Sequence, residues 1–298
     1  MSVVTQAYES IFLQPGWVHE AYYGWSMLAF EPGRLKLLRK CRAAVSQNLL
    51  LASGVEDGEL AKIATSHGLL KATSITTLHD FGAKADERRT LGERHFLLLR
   101  SGERMLNVAT YVIDLAASQE ELWERLGSKS RNMVRRAEAA GMRFTISRMG
   151  DANLLTKFFQ LHASVAARNQ FRPANKPAIQ RMRQDGRLLI AACSAADGAV
   201  LTVNLIYTSG DSAYFLLGAS VDELPPGCGQ LMHWQTSLDL KRAGLRWYDL
   251  GGVPPDPSHG IHRFKASLGG SFCDLGREFR YTPTALASVY GWYRKLRR

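Results

Sequence analysis

The sequence predicts an α/β protein of two lobes, each a mixed, mostly antiparallel sheet flanked by helices. Three observations carry this. Segments of period-two hydrophobicity alternate with amphipathic segments of period 3.6 along the chain. The 298 residues suffice for two domains of ordinary size, and 46% apolar residues can fill their cores. The second half reads as three short strands followed by helix, strand, helix and strand, an order that completes one layered unit. A division into residues 1–115 and 116–298 is expected.

In the first lobe an aromatic patch of Tyr22, Tyr23 and Trp25 precedes two short strands, 27–30 and 35–39. Glu31-Pro32-Gly33-Arg34 between them makes a hairpin turn. Residues 58–67 read as a short helix, 72–78 as a Ser/Thr-rich strand, and the polar stretch 81–92 as a loop. Strands at 96–99 and 107–114 follow.

The second lobe opens with Ser118 and, three residues on, Glu121, the spacing of a capping box at a helix start. A second helix over 129–140 stops at Gly141, with Met133, Ala137 and Ala140 on one face. Its other face carries Lys129, Arg131, Arg135 and Arg136. Residues 154–167 form an amphipathic helix whose apolar side is Leu154, Phe158, Leu161 and Val165. The period then switches to two at 187–194, 200–208 and 212–220, joined by Asp197-Gly198 and Gly210-Asp211 turns. After Pro225-Pro226-Gly227-Cys228-Gly229 a helix covers 230–243, and 246–250 returns to strand. A further helix, a strand near 272–280 and a C-terminal helix over 284–298 complete the reading.

Charge and composition narrow the function. Lys and Arg number 38 against 27 Asp and Glu, a net charge of +11 that favours a polyanionic partner such as nucleic acid. Four cations between residues 129 and 136 meet no acidic residue, which suits phosphate contact, although such runs are also ordinary solvated faces. No apolar run reaches the roughly 18 to 20 residues that span a bilayer. No export signal opens the chain, and a cytoplasmic location is expected. Cys41, Cys193, Cys228 and Cys273 are scattered, as buried thiols in a reducing compartment would be; no metal is expected.

The most informative stretch is Trp247-Tyr248-Asp249-Leu250-Gly251-Gly252, followed by Gly260-Ile261-His262-Arg263-Phe264-Lys265. A strand ending at two glycines delivers a loop over 249–265, and that loop delivers one lysine among apolar neighbours. A lysine so held can meet negative charge developing on an attacked carbonyl; the alternative is a surface lysine beside a turn. Asp249 could orient an amine or cap the turn. Arg263 is a weaker donor, and His259 and His262 are proton acceptors or plain loop residues. Arg168 and Arg172, just past a helix, could hold a phosphate or carboxylate or form a salt bridge. Tyr214 is divided between core and pocket.

The strand and helix order of the second lobe is that of GNAT acyltransferase domains, where Gly227 and Gly229 would lie against bound pyrophosphate. Together with Gln14-Pro15-Gly16-Trp17, Ile113-Asp114-Leu115, the basic Lys129–Ala137 run, Ala166–Arg172, Tyr214–Ser220 and the Asp249-Leu250-Gly251-Gly252 to Phe264-Lys265 combination, the chain resembles the FemABX family over nearly its whole length. These are tRNA-dependent aminoacyl or peptidyl transferases built from two GNAT-like domains with a cleft between them. The resemblance implies transfer of an amino acid, alanine being favoured, from aminoacyl-tRNA to the free amine of a peptidyl acceptor. It makes Lys265 the stabiliser of the tetrahedral intermediate and Phe264 a wall of its pocket. Within such an enzyme Lys129, Arg131, Arg135 and Arg136 are expected to meet tRNA, and Arg168, Arg172, Tyr214, Gly251, Gly252 and Arg263 the acceptor or donor. Aminoacyl-tRNA is the co-substrate and no other cofactor is implied; a monomer is favoured.

The sequence departs from the family in two places. The long helical hairpin of some members has no room here. After Trp17, Val18-His19-Glu20-Ala21 supplies no lysine for a nucleotide-linked cell-wall precursor. Both departures suit a small acceptor, as in the branch that loads peptidyl nucleoside antibiotics such as pacidamycin. The rivals are a coenzyme A-dependent N-acyltransferase and a non-catalytic RNA-binding protein.

Overall fold

The structure is a computed structural model that describes residues 8–14, 22–42, 44–83, 88–148 and 151–283. The expectations for residues 15–21 and for the helix at 284–298 lie outside the described residues. In chain order the first elements are β1 (Ser26–Glu31), β2 (Leu35–Arg42), β3 (Val45–Ala52), α1 (Asp57–Ser66), β4 (Ser74–Asp80), β5 (Arg88–Leu91), β6 (Arg94–Leu98) and β7 (Ala109–Asp114). Then come α2 (Gln119–Arg125), α3 (Ser128–Ala139), β8 (Arg143–Ser147), α4 (Ala152–Arg168), α5 (Lys176–Gln184), β9 (Leu188–Ser194), β10 (Val200–Ser209) and β11 (Ser212–Ser220). The last are α6 (Cys228–Arg242), β12 (Trp247–Gly252), α7 (Gly260–Ala266), β13 (Ser271–Asp274) and β14 (Arg277–Tyr281).

Among the described residues the strands form two mixed seven-stranded sheets, β1-β2-β3-β4-β14-β6-β5 and β13-β7-β12-β11-β10-β9-β8. The chain divides into two compact units, Glu9–Val108 with the described residues from Asp274 on, and Ala109–Cys273 with Tyr8. A single cut after residue 115 therefore does not describe the chain. Strand β7, expected in the first lobe, lies inside the second sheet between β13 and β12, and its Ile113 joins that core. The expected strand near 272–280 is two strands in different sheets. The later one, β14, sits between β4 and β6 and sends Phe279 and Tyr281 into the first core. Periodicity reports that a strand exists, but not which sheet will pair with it.

In the first unit the β1–β2 hairpin forms as its turn residues require, with Glu31 opposite Leu35 and Gly33 at φ +68°. Sequence reading missed β3, whose Leu49, Leu50, Leu51 and Ala52 are all buried. A central strand covered on both faces loses the alternation that marks a strand. It also missed β5, placed within the expected loop, as well as β8 and α5. Helix α1 makes the crossover that a parallel pair needs, and β3 and β4 pair in parallel without a break from Ser46↔Ser74 to Ala52↔Asp80.

In the second unit β9, β10 and β11 form an antiparallel meander whose last hairpin closes at Ser209↔Ser212. Helices α2, α3 and α6 supply Leu122, Val134, Ala137, Leu231, Met232 and Leu240 to one core with Leu189, Ala191 and Cys193 of β9. Helix α4 packs on β9, β10 and β11, and its buried residues are Leu155, Phe158, Leu161, His162 and Ala166, with Leu154 and Val165 only half-buried. The expected face of α3 is also rotated. Ser130, Val134 and Ala137 are buried there, whereas Met133 is half-buried and Ala140 exposed. Ser130 tolerates burial because its Oγ donates to Ser267 Oγ at 2.8 Å.

Helix α3 lies so close to the start of α6 that Gly227 has no room for a side chain. A Cβ there would stand 2.1 Å from the Met133 carbonyl oxygen, and Gly227 itself is left-handed at φ +90°. Gly244, at the other end of α6, is left-handed at φ +80° but faces open space. Gly227→Ala should therefore cost about 3 kcal/mol in denaturant unfolding, against roughly 1 kcal/mol for Gly244→Ala. Equal losses would mean that the α3–α6 contact is looser than described.

Candidate active site

The site starts from a break in the second sheet. Strands β11 and β12 pair in parallel only from Ser212↔Trp247 to Tyr214↔Asp249, although β11 runs on to Ser220. The bulge at Leu216, where Leu205 pairs with Leu217 but Ile206 with Phe215, turns β11 away at that point. The parallel pair of the first unit shows no such break. Backbone polar groups that lose a ladder partner inside a protein need another one, and here a lysine supplies part of it.

Lys265 is 7% exposed, and its Nζ donates to the carbonyls of Gly251 at 3.1 Å and Gly252 at 2.9 Å. The ammonium also lies 5.4 Å from the centroid of the Phe215 ring. Burial lowers its pKa to about 8, while the nearby Asp249 carboxylate acts in the opposite direction. The lysine is not delivered by a loop. It sits in the last turn of α7, a short helix capped by His259, whose Nδ1 accepts from Ile261 N. This is the further helix expected between strand 246–250 and the strand near 272–280, and it reaches back far enough to include the lysine.

Asp249, at 1% exposure, is built into the same frame. One carboxylate oxygen accepts from Thr110 Oγ1 and, at 2.7 Å, from Gly251 N; the other accepts from Tyr8 OH at 2.6 Å. Burial raises its pKa and these hydrogen bonds pull it back. Gly251 is needed for its own reasons. It is left-handed at φ +75°, and a Cβ would lie 2.7 Å from the Phe215 carbonyl oxygen. Asp249, Thr110 and Gly251 thus hold the glycine carbonyls toward Lys265.

A cavity of about 330 Å³ opens beside this frame, lined by Thr202, Asn204, Ser220, Gln230, His233 and Phe264 among others, none of them charged. Lys265 is not part of the lining; its neighbour Phe264 is. The start of α6 also borders the cavity, where the first helical N–H groups have no partner within the helix. The glycines there have packing duties. Gly227 admits the α3 backbone, and a Cβ on Gly229 would come within 3.3 Å of Phe264. Neither is left over to admit a phosphate.

The remaining expected residues are dispersed. On α3, Lys129 and Arg136 are exposed. Arg131 caps the end of α2 through the carbonyls of Glu124 and Leu126, and Arg135 stacks over Trp123. Arg168 pairs with Asp222, in the loop that continues into the cavity wall at Leu224, while Arg172 and Arg263 are exposed and outside the lining. Tyr214 is buried and does not line the cavity. His262 is buried between Tyr111 OH and the Pro254 carbonyl. Sequence reading missed His233, a buried residue of α6. Its only sequence signal is a polar residue among the apolar positions of that helix. Among the described residues no three His, Cys, Asp or Glu side chains stand close enough to hold a metal. No described helix is long and apolar enough to cross a membrane.

Comparison with known proteins agrees with this fold. Residues 127–266 match the model of the acetyltransferase (GNAT) domain. No curated protein sequence matches the chain significantly. Among solved structures the chain is similar to FemX, with a TM-score of 0.68 at 16% identity over 97% of this chain and 98% of that one. It is also similar to the C-terminal domain (DUF2156) of a putative lysylphosphatidylglycerol synthetase from Agrobacterium fabrum, with a TM-score of 0.59 at 14% identity over 92% and 88% of the two chains. L-PGS from Bacillus licheniformis gives 0.54 at 13% identity over 90% and 87%. The chain thus has the α/β, GNAT-like fold of FemX, and the resemblance to the FemABX transferases holds at the level of that fold.

Proposed function

We propose that the protein is an aminoacyltransferase that moves a small uncharged amino acid, alanine in the first instance, from aminoacyl-tRNA to the free amine of a peptidyl acceptor. The observation that carries this reading is the buried Lys265 ammonium at the break between β11 and β12, next to an uncharged cavity walled by Phe264. An ester is an activated acyl donor, so a neutral amine can attack it without a protein nucleophile. The amine nitrogen adds to the carbonyl carbon and the C=O pair moves onto oxygen. The pair then returns, the bond to the ribose oxygen breaks, and the proton given up by the amine ends on that oxygen. A cation held in a low-dielectric site is worth most while the oxygen is negative. Lys265, held on two glycine carbonyls beside the cavity rather than in its lining, supplies that charge from behind the frame.

The cavity supports the choice of amino acid. A charged side chain entering it would lose its hydration and find no counter-charge. Lysine, the residue named in the synthetase with a similar fold, would be a poor donor here. The net charge of +11 and the exposed Lys129 and Arg136 suit tRNA phosphates. Of the expected acceptor residues, Arg168 is engaged by Asp222, so Arg172 and Arg263 are the free candidates for an acidic group on the acceptor. A peptidyl antibiotic intermediate and a peptidoglycan precursor both fit this description. Coenzyme A fits less well, because Gly227 and Gly229 are taken by α3 and Phe264.

The test is purified protein with radiolabelled alanyl-, lysyl- or glutamyl-tRNA, or acetyl-coenzyme A, and a panel of peptide amines. Alanyl transfer that needs both protein and acceptor is expected, with lysyl and glutamyl donors at least roughly 100-fold slower. Transfer from acetyl-coenzyme A alone would replace the reading with the coenzyme A rival. Lys265→Met should reduce transfer by about 100-fold or more while tRNA binding survives; unimpaired turnover would remove the mechanism. The pH dependence follows from the sign of the shift. Lys265 is protonated below its lowered pKa, so turnover should fall as pH rises through about 8. That limb should be missing from the residual activity of Lys265→Met.

A further inference from the structure

We infer that His233 is the hydrogen-bond donor inside the acyl cavity, presenting a neutral Nε2–H to the carbonyl oxygen of the bound acyl group and fixed in that tautomer by Tyr248. The inference rests on the cavity being the acyl site, and it assigns the contact with the reacting oxygen to a residue no motif marks.

The geometry begins with Tyr248, a fully buried residue of β12 whose hydroxyl lies 2.9 Å from His233 Nδ1. Among the described residues that ring nitrogen is its one partner. A buried phenol must give its proton to something. Burial raises the Tyr248 pKa further, so the proton stays on the phenol. Tyr248 therefore donates and Nδ1 accepts. A neutral imidazole carries one proton, which must then be on Nε2.

His233 lines the 330 Å³ cavity, its Nε2 has no partner among the described residues, and it is not among the sealed polar atoms without one. The ring also borders a hole of about 10 Å³ with Trp234 and Ser237, too small for a substrate group. Edge-on contacts with Phe215 at 5.1 Å and Phe264 at 5.8 Å hold the ring from two sides. Both phenylalanines also serve Lys265's surroundings, one beneath the ammonium and one as its chain neighbour.

Charge completes the argument. Burial, with the Lys265 charge second, lowers the His233 pKa to about 3, so the ring is neutral wherever the enzyme would work. A neutral imidazole is a good donor to a developing oxyanion, because it gains from the charge without having to lose a proton. Lys265 then acts as the cation behind the frame and His233 as the direct contact. No proton moves to or from the ring during addition of the amine or departure of the ribose oxygen.

The experiment is ¹⁵N NMR of histidine-labelled full-length protein with two probes, acetyl-coenzyme A and a stable amide analogue of alanyl-adenosine. Without ligand, His233 should show a protonated Nε2 and an unprotonated Nδ1, unchanged from pH 5 to pH 9. Saturation with a probe that occupies the cavity should shift the Nε2–H signal. In transfer assays His233→Ala should lose about 100-fold in kcat. Tyr248→Phe, which keeps the ring volume, should lose at least roughly tenfold together with the fixed tautomer. If His233→Ala fails to fold, Tyr248→Phe and the spectra still decide. A protonated Nδ1, an imidazolium at neutral pH, or an Nε2 signal unmoved by a bound probe would overturn the inference and leave the proposed function standing. A shift with acetyl-coenzyme A and no binding of the analogue would do the reverse. Binding of neither probe would remove both.

Discussion

A buried ammonium inside an interrupted sheet is the constraint on which the candidate site depends. Where β11 and β12 part, glycine carbonyls are left facing the interior, and Lys265 takes two of them. Every neighbouring feature accommodates that one charge. Gly251 gives the backbone its left-handed step, Asp249 fastens the glycine through its N–H, and Thr110 and Tyr8 fasten Asp249. Phe215 offers its ring face to the cation. A charge kept out of water at this cost is retained where it can be used, because a hydrophobic side chain would fill the same space more cheaply.

The two units illustrate the difference between a fold and a site. Both have a mixed seven-stranded sheet with a helix-connected parallel pair. In the first, that pair is closed along the length of β4 and binds its own backbone completely. In the second it opens, and the cavity, the start of α6 and Lys265 gather at the opening. The glycines around α6 show the same economy. Gly227 and Gly229 look like a phosphate loop in one dimension, yet in three dimensions each is spoken for by a packed neighbour. A motif read without its neighbours overstates its freedom.

Much of this was legible in the sequence. The capping box at Ser118, the basic α3, the β9–β11 meander and the Asp249 to Lys265 segment all stand close to where periodicity and turn chemistry put them. The misses have physical causes. Strand β3 is covered on both faces, so its pattern is a plain apolar run. Strands β7 and β14 trade sheets, a pairing decided by contacts far away in sequence. The cations of α3 were counted as equals, but Arg131 and Arg135 find partners on α2, leaving Lys129 and Arg136 to solvent. His233 escaped notice because a histidine in an apolar helix is ordinarily just core, and only Tyr248, brought beside it by β12, gives it a defined proton.

The most direct measurement is the titration of Lys265 itself, followed by NMR of its side-chain ¹³Cε in lysine-labelled protein, with Lys265→Met to assign the signal. A cation enclosed among glycine carbonyls and an aromatic ring should titrate with a midpoint near 8. A midpoint near 10.5, the value of a solvated lysine, would mean that the ammonium lies outside the sheet break, and the account of the site would fail with it.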